Sequence, residues 1–199
     1  MSLGGTEQFH SDGREAGFGV LDFWRWSASD LLVNTQRGVV AEYLVARALG
    51  VMDSLQTSQW AGWDILGPGR VRIEVKSAAY WQSWSQEKPS EITFQGIGPR
   101  KWAWDPVRED WLKLDPPRRA ADVYVFCLLG RERDPQPDPL DLGQWRFFVV
   151  PTFALDEEFG SQKSIGIGSL TRLMARKGKQ PVGYDGLRQA ISAIRRLDG

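Results

Sequence analysis

The chain has one cysteine, one histidine and no net charge, its 25 Lys and Arg balanced by 25 Asp and Glu among 199 residues. A single cysteine, Cys127, cannot close an internal disulfide, and its place in an apolar run suits a core residue in a reducing compartment. The one histidine, His10, lies in a polar, glycine-rich N-terminal stretch, which leaves histidine-based metal or triad chemistry without a basis. Zero net charge means that no global field draws the chain to nucleic acid or anionic membrane, so a nucleic-acid partner would be held by a local basic patch. No run approaches the roughly 18 apolar residues of a membrane span, and no apolar signal segment opens the chain. These absences predict a cytoplasmic protein with no membrane partner.

What is present, 42% hydrophobic and 25% charged residues, suits one globular domain. We expect a flexible arm over 1–20 and a single domain over 21–199. The 3,4-spacing of Val40, Tyr43, Leu44 and Ala48, followed by Gly50, predicts a helix from Asn34 to Leu49. Two alternating runs, Trp63 to Leu66 and Arg70 to Ser77, flank Gly67-Pro68-Gly69 and predict a β-hairpin. Strands are expected over Ser90 to Gly96, over Ala121 to Leu129 as a central strand covered on both faces, and over Trp145 to Val150. The tryptophan-rich stretch 101–115 is unassigned, Arg131 to Asp141 reads as a loop, and Ser164 to Ser169 fits either a short strand or a turn. Leu187, Ile191, Ile194 and Leu197 share one face of a final helix. The order predicts an α/β fold with a central mixed sheet flanked by helices.

The hairpin's register decides whether its polar residues cooperate. Glu74 and Lys76 share one face of the second strand, Ile73 and Val75 the other. A turn centred on Gly69 sets Ile65 against Ile73, Trp63 against Val75 and Asp64 against Glu74; a half-step shift would put Asp64 against Ile73. Apolar pairing selects the first register. It also opposes two carboxylates, which repel and call for a cation. Lys76 supplies part of that compensation, and Mg²⁺, commonly held by one or two carboxylates, would supply more.

An Asp, a hairpin turn and then Glu-x-Lys, here Asp64, nine residues and Glu74-Val75-Lys76, resembles the catalytic signature of the PD-(D/E)XK nuclease superfamily. Glu42 stands where that family commonly carries a helix glutamate, and Trp63 replaces the proline. The resemblance implies a restriction-endonuclease-like αβββαβ core and a metal-dependent endonuclease. In it Asp64, Glu74, the Val75 carbonyl and Glu42 would serve Mg²⁺, with Mn²⁺ able to substitute, and Lys76 would orient or activate the attacking water. DNA is the expected substrate, and a homodimer or a protein partner is compatible with it. Ser77, Tyr80, Gln82 and Gln86, just after the motif, are candidate substrate contacts, since amides read base edges and aromatics stack on bases. Trp81 and Trp84 read instead as a partly buried aromatic corner. Arg172, Arg176, Lys177, Lys179, Arg188, Arg195 and Arg196, set against Asp185 and Asp198, form either a phosphate-tracking patch or an ordinary solvated surface.

Other readings use the same residues. Glu74 and Lys76 alternate as a solvated strand ion pair would, and Glu42 could be a helix-face charge. A catalytically silent nucleic-acid-binding or assembly module on the same fold is the main alternative. A small-molecule enzyme using Asp64 and Glu74 as an acid/base pair is a third.

Overall fold

Seven consecutive buried residues, Val123–Leu129, form one of the two inner strands of a four-stranded sheet in the computed structural model, which describes residues 3–52 and 61–195. In chain order the elements begin with a hairpin, β1 (Gln8–Ser11) and β2 (Arg14–Gly19), and two helices, α1 (Val20–Ala28) and α2 (Asn34–Leu49). Strands β3 (Ile65–Leu66), β4 (Arg72–Ala79), β5 (Thr93–Gln95), β6 (Arg100–Asp105), β7 (Asp110–Arg118), β8 (Val123–Leu129) and β9 (Trp145–Pro151) follow. The chain continues through α3 (Thr152–Phe159), β10 (Ser164–Gly166), α4 (Ile167–Arg176) and α5 (Tyr184–Arg195).

The central sheet runs β3-β4-β8-β9, with β4 and β8 parallel and both outer pairs antiparallel. The fold is therefore α/β around a mixed sheet. A strand with helices or loops over both faces has no polar side to keep, which is why β8 is apolar throughout. One face, with Ile73, Val75, Val125 and Val149, packs against Ala41 and Val45 of α2 and Leu187 and Ile191 of α5. The other, with Tyr124, Phe126 and Phe148, packs against Phe94, Leu155 of α3 and Leu170 of α4. Cys127 is fully buried on the α2 side, and burial pushes its thiol pKa up, as befits an inert core residue.

Helix α2 keeps its expected limits because Gly50, at φ 72°, closes it in a left-handed cap whose N–H reaches the Ala46 and Arg47 carbonyls. The C-terminal helix forms with its apolar stripe inward; Leu197 lies outside the described residues.

Several elements differ from the sequence reading. The strand expected over Ser90 to Gly96 shortens to Thr93–Gln95 and pairs with β10, not with the central sheet. The unassigned 101–115 stretch is an antiparallel hairpin, β6–β7, with Trp104 opposite Trp111. The N-terminal arm carries the β1–β2 hairpin and then α1, whose Leu21, Phe23, Trp24 and Trp26 are exposed. Helix α1 carries an apolar face of Val20, Leu21, Trp24 and Ala28 with Asp22 and Arg25 opposite, but nine residues are too few for the helical period to stand out.

Candidate metal centre

The hairpin adopts the register that apolar pairing demands. Ile65 pairs with Ile73 and Leu66 with Arg72 about a turn centred on Gly69, which sits at φ 67°. The ladder stops at Ile65. Asp64 donates its N–H to the Ile73 carbonyl at 2.9 Å, and its Oδ2 accepts the Val75 N–H at 2.6 Å. Asp64 thus turns into the sheet edge that β3 has vacated. Because the N–H and C=O of one strand residue point to the same side, the Val75 carbonyl faces that edge as well. The alternate residue Arg72 confirms the parity, since its carbonyl accepts from Asp122 on the β8 side.

Trp63 is a correction. It does not lie opposite Val75 but joins the cluster on the other face of the sheet, with the Arg72 guanidinium 5.5 Å above its ring. The reason is that the chain leaves the hairpin before Asp64 and fastens to β6, where the Gly62 N–H donates to the Trp104 carbonyl at 2.9 Å. A side chain at Gly62 would place its Cβ 2.6 Å from that of Ala103, so only glycine lets the strand approach this closely.

Glu74 is almost wholly enclosed, its side chain 3% exposed. Its Oε1 accepts from Lys76 Nζ at 2.6 Å and from Arg100 Nη2 at 3.0 Å. Two cations thus share one carboxylate oxygen. Burial, and next the Glu74 charge, push the Asp64 carboxyl up to about 7, against the opposing pull of Lys76 and the Val75 N–H. Glu42 of α2 is raised too, mainly by burial, with Lys76 opposing and Glu74 adding. The charges of Glu42, Asp64, Glu74 and Lys76 thus act on one another. Arg100 was missed, because it lies beside the segment that the sequence left unassigned. The alternation of Trp102 and Trp104, repeated in Leu112 and Leu114 beyond a polar turn, was the signal available.

Among the described residues no group of three His, Cys, Asp or Glu side chains is disposed to hold a metal ion. A Mg²⁺ ion does not require three, since it keeps several waters and takes one or two carboxylates. The residues present fit such an ion. Among the described residues Asp64 Oδ1 and Glu74 Oε2 have no hydrogen-bond partner, the Val75 carbonyl faces the same edge, and Asp64 carries a charge that its surroundings resist.

The four candidate substrate contacts divide. Ser77 lines an open groove of about 410 Å³ together with Lys76 and Gln82, and Tyr80 packs half-buried against the core. The amides of Gln82 and Gln86 are engaged internally. Gln82 accepts from Arg37 at 2.8 Å and donates to the Ala79 carbonyl at 2.8 Å, and Gln86 donates to Ser90 at 3.0 Å. Both amides hold the loop after β4. Trp81 is half-buried as expected, whereas Trp84 is exposed. In the C-terminal basic set, Arg176 pairs with Glu158, Lys177 pairs with Glu157, and Arg188 caps the Ala48 and Leu49 carbonyls at the end of α2. Those three are structural. Arg196 and Asp198 lie outside the described residues.

Gly96, at φ 74°, closes over the site, and a Cβ there would lie 3.9 Å from Lys76 Nζ. In comparisons with known proteins, the sequence matches no protein-family model and no curated protein.

Proposed function

We propose that the chain is a metal-dependent nuclease of the PD-(D/E)XK type, on a restriction-endonuclease-like core, that hydrolyses phosphodiester bonds in DNA. One observation carries the reading: Asp64, turned into the sheet edge beside buried Glu74 and Lys76, holds a carboxyl pushed up to about 7 by burial and like charge. Such surroundings suit a divalent cation better than an isolated acid.

Asp64, Glu74 and the Val75 carbonyl would hold Mg²⁺, with Glu42 supporting from α2. When bound, the ion would polarise the scissile phosphate and make a water more acidic. The chain's own groups do the rest. Glu74 Oε1 fixes the Lys76 amine, which donates to the attacking water or to a phosphate oxygen as negative charge grows there. Arg100, held by the same oxygen, adds a second positive charge. The water oxygen bonds to phosphorus, one P–O ester bond breaks, and the departing oxygen is protonated.

The test is incubation with supercoiled plasmid, single-stranded DNA and RNA in Mg²⁺ or Mn²⁺. Cleavage lost in Lys76→Ala and Asp64→Asn is expected, whereas metal-independent cleavage, or cleavage untouched by both changes, contradicts the proposal. A second reading, a catalytically silent nucleic-acid-binding or assembly module, draws on the apolar side chains that α1 leaves exposed. DNA or protein binding without Mn²⁺ or Mg²⁺ binding near millimolar concentrations would favour it.

A further inference from the structure

Arg37, in the first turns of α2, is 4% exposed, and among the described residues no carboxylate pairs with it. Its guanidinium is met by neutral groups only. Nη1 donates to the Leu32 carbonyl at 3.0 Å and to Gln82 Oε1 at 2.8 Å, and Nη2 to Asn34 Oδ1 at 2.7 Å. Nε is buried and has no acceptor. An enclosed charge without a counter-ion is costly and persists where something else draws on it. Burial accordingly lowers the Arg37 pKa.

Arg37 and Lys76 both line the groove of about 410 Å³. Asn34, Ser90, Thr93 and Gln95 also line it, with the exposed Glu91 the one carboxylate. The start of α2 contributes too. This helix of 16 residues has Val33 at its N-cap and no side-chain cap, so its first amides and the positive end of its dipole are free for an anion. An unpaired buried cation, an uncapped helix start and a hydroxyl- and amide-lined groove all suit a tetrahedral oxyanion.

We propose that this groove binds a backbone phosphate of the nucleic-acid strand, adjacent to the phosphate that meets Lys76, with Arg37 and the start of α2 supplying the positive charge. The identity of the strand rests on the nuclease reading. The groove's preference for phosphate does not. Gln82, held by Arg37, positions the loop wall opposite α2, which accounts for the use of its amide inside the protein.

The experiment measures binding of a fluorescein-labelled 20-nucleotide DNA strand to the full chain by anisotropy, in EDTA, across a salt series. Thr93→Glu places a negative charge in the groove from an exposed position on β5, where it disturbs no core contact. Leu140→Glu, on a side chain 75% exposed and outside the groove lining, makes the same change in net charge as a control. Thr93→Glu should weaken binding about tenfold and lower the salt slope by about one, as loss of one phosphate contact does, while Leu140→Glu should alter affinity less than about twofold. Arg37→Gln should match Thr93→Glu, and Arg37→Lys should recover part of the loss. Should Arg37→Gln fail to fold, Thr93→Glu decides alone. Full affinity in folded Thr93→Glu, or equal losses in Thr93→Glu and Leu140→Glu, overturns the groove. The two proposals fail separately. Metal-free binding that depends on Thr93 and Arg37, in a protein that cuts nothing, keeps the groove and removes the nuclease; cleavage with unchanged affinity in Thr93→Glu does the reverse.

Discussion

Replacing Asp64 with asparagine should stabilise the metal-free protein at pH 8 while abolishing the cleavage proposed above. The Asp64 carboxyl titrates near 7 in the fold, from an ordinary value of 3.8, because burial and the Glu74 charge oppose its ionisation. The sign follows from proton counting. Between these values the folded state binds more protons than the unfolded one, so stability falls as pH rises from about 4 to about 7 and stays low above that. Three pH units correspond to about 4 kcal/mol at full linkage. Partial exposure of Asp64 reduces this to about 2 kcal/mol of net cost, or about 4–8 °C in Tm for a chain of this size. Asparagine removes the charge and keeps an oxygen for the Val75 N–H. Thermal melts in EDTA from pH 4 to pH 8 should show the asparagine variant gaining over wild type as pH rises, with the two converging near pH 4. Adding Mg²⁺ should then narrow the gap at pH 8 by raising wild type alone. A variant less stable than wild type at pH 8, or a gap independent of pH, would refute the reasoning.

The neighbouring residues extend the same account. Gly62→Ala should destabilise by about 1–3 kcal/mol, since the added methyl would sit 2.6 Å from the Ala103 Cβ, and should cut the cleavage rate by displacing Asp64; denaturant melts and plasmid nicking rates check both effects. Arg100→Gln should slow nicking about tenfold or more yet shift stability by less than about 1 kcal/mol, because its side chain is 40% exposed; a wild-type rate would remove Arg100 from the site. Gly96→Ala should cost about 1 kcal/mol from its left-handed backbone, read as a lower Tm.

The hairpin was legible because its signal is local. Ile65 and Ile73 alternate with polar neighbours about a turn rich in Gly and Pro, and one register alone buries both. For the same reason β8 and the limits of α2 could be read from an apolar run and a glycine stop. The site's further parts depend on long-range placement. Arg100 reaches Glu74 across 26 residues of sequence, and Arg37 meets Gln82 across 45; neither spacing carries a period. Asp64's turn into the sheet edge also escaped the pattern, which continued the ladder to Trp63 where the chain instead fastens to β6. Alternation fixes pairing within a hairpin but not where that pairing stops. Helices α1, α3 and α4 went unread in the sequence for different reasons. The first two are short, with nine and eight residues, so few positions report a helical period. In the third, Ile167 follows directly on a three-residue strand, so the helix start is hidden.

Asp64 and Glu74 are proposed to hold a divalent cation together beside Lys76. Titration of the full chain with Mn²⁺, followed by electron paramagnetic resonance of the free ion, tests it without any assumption about substrate. One site with a dissociation constant of millimolar or below is predicted in wild type, lost in Asp64→Asn and in Glu74→Gln while both variants remain folded. No binding by wild type at these concentrations, or a site that survives both substitutions, would contradict the claim.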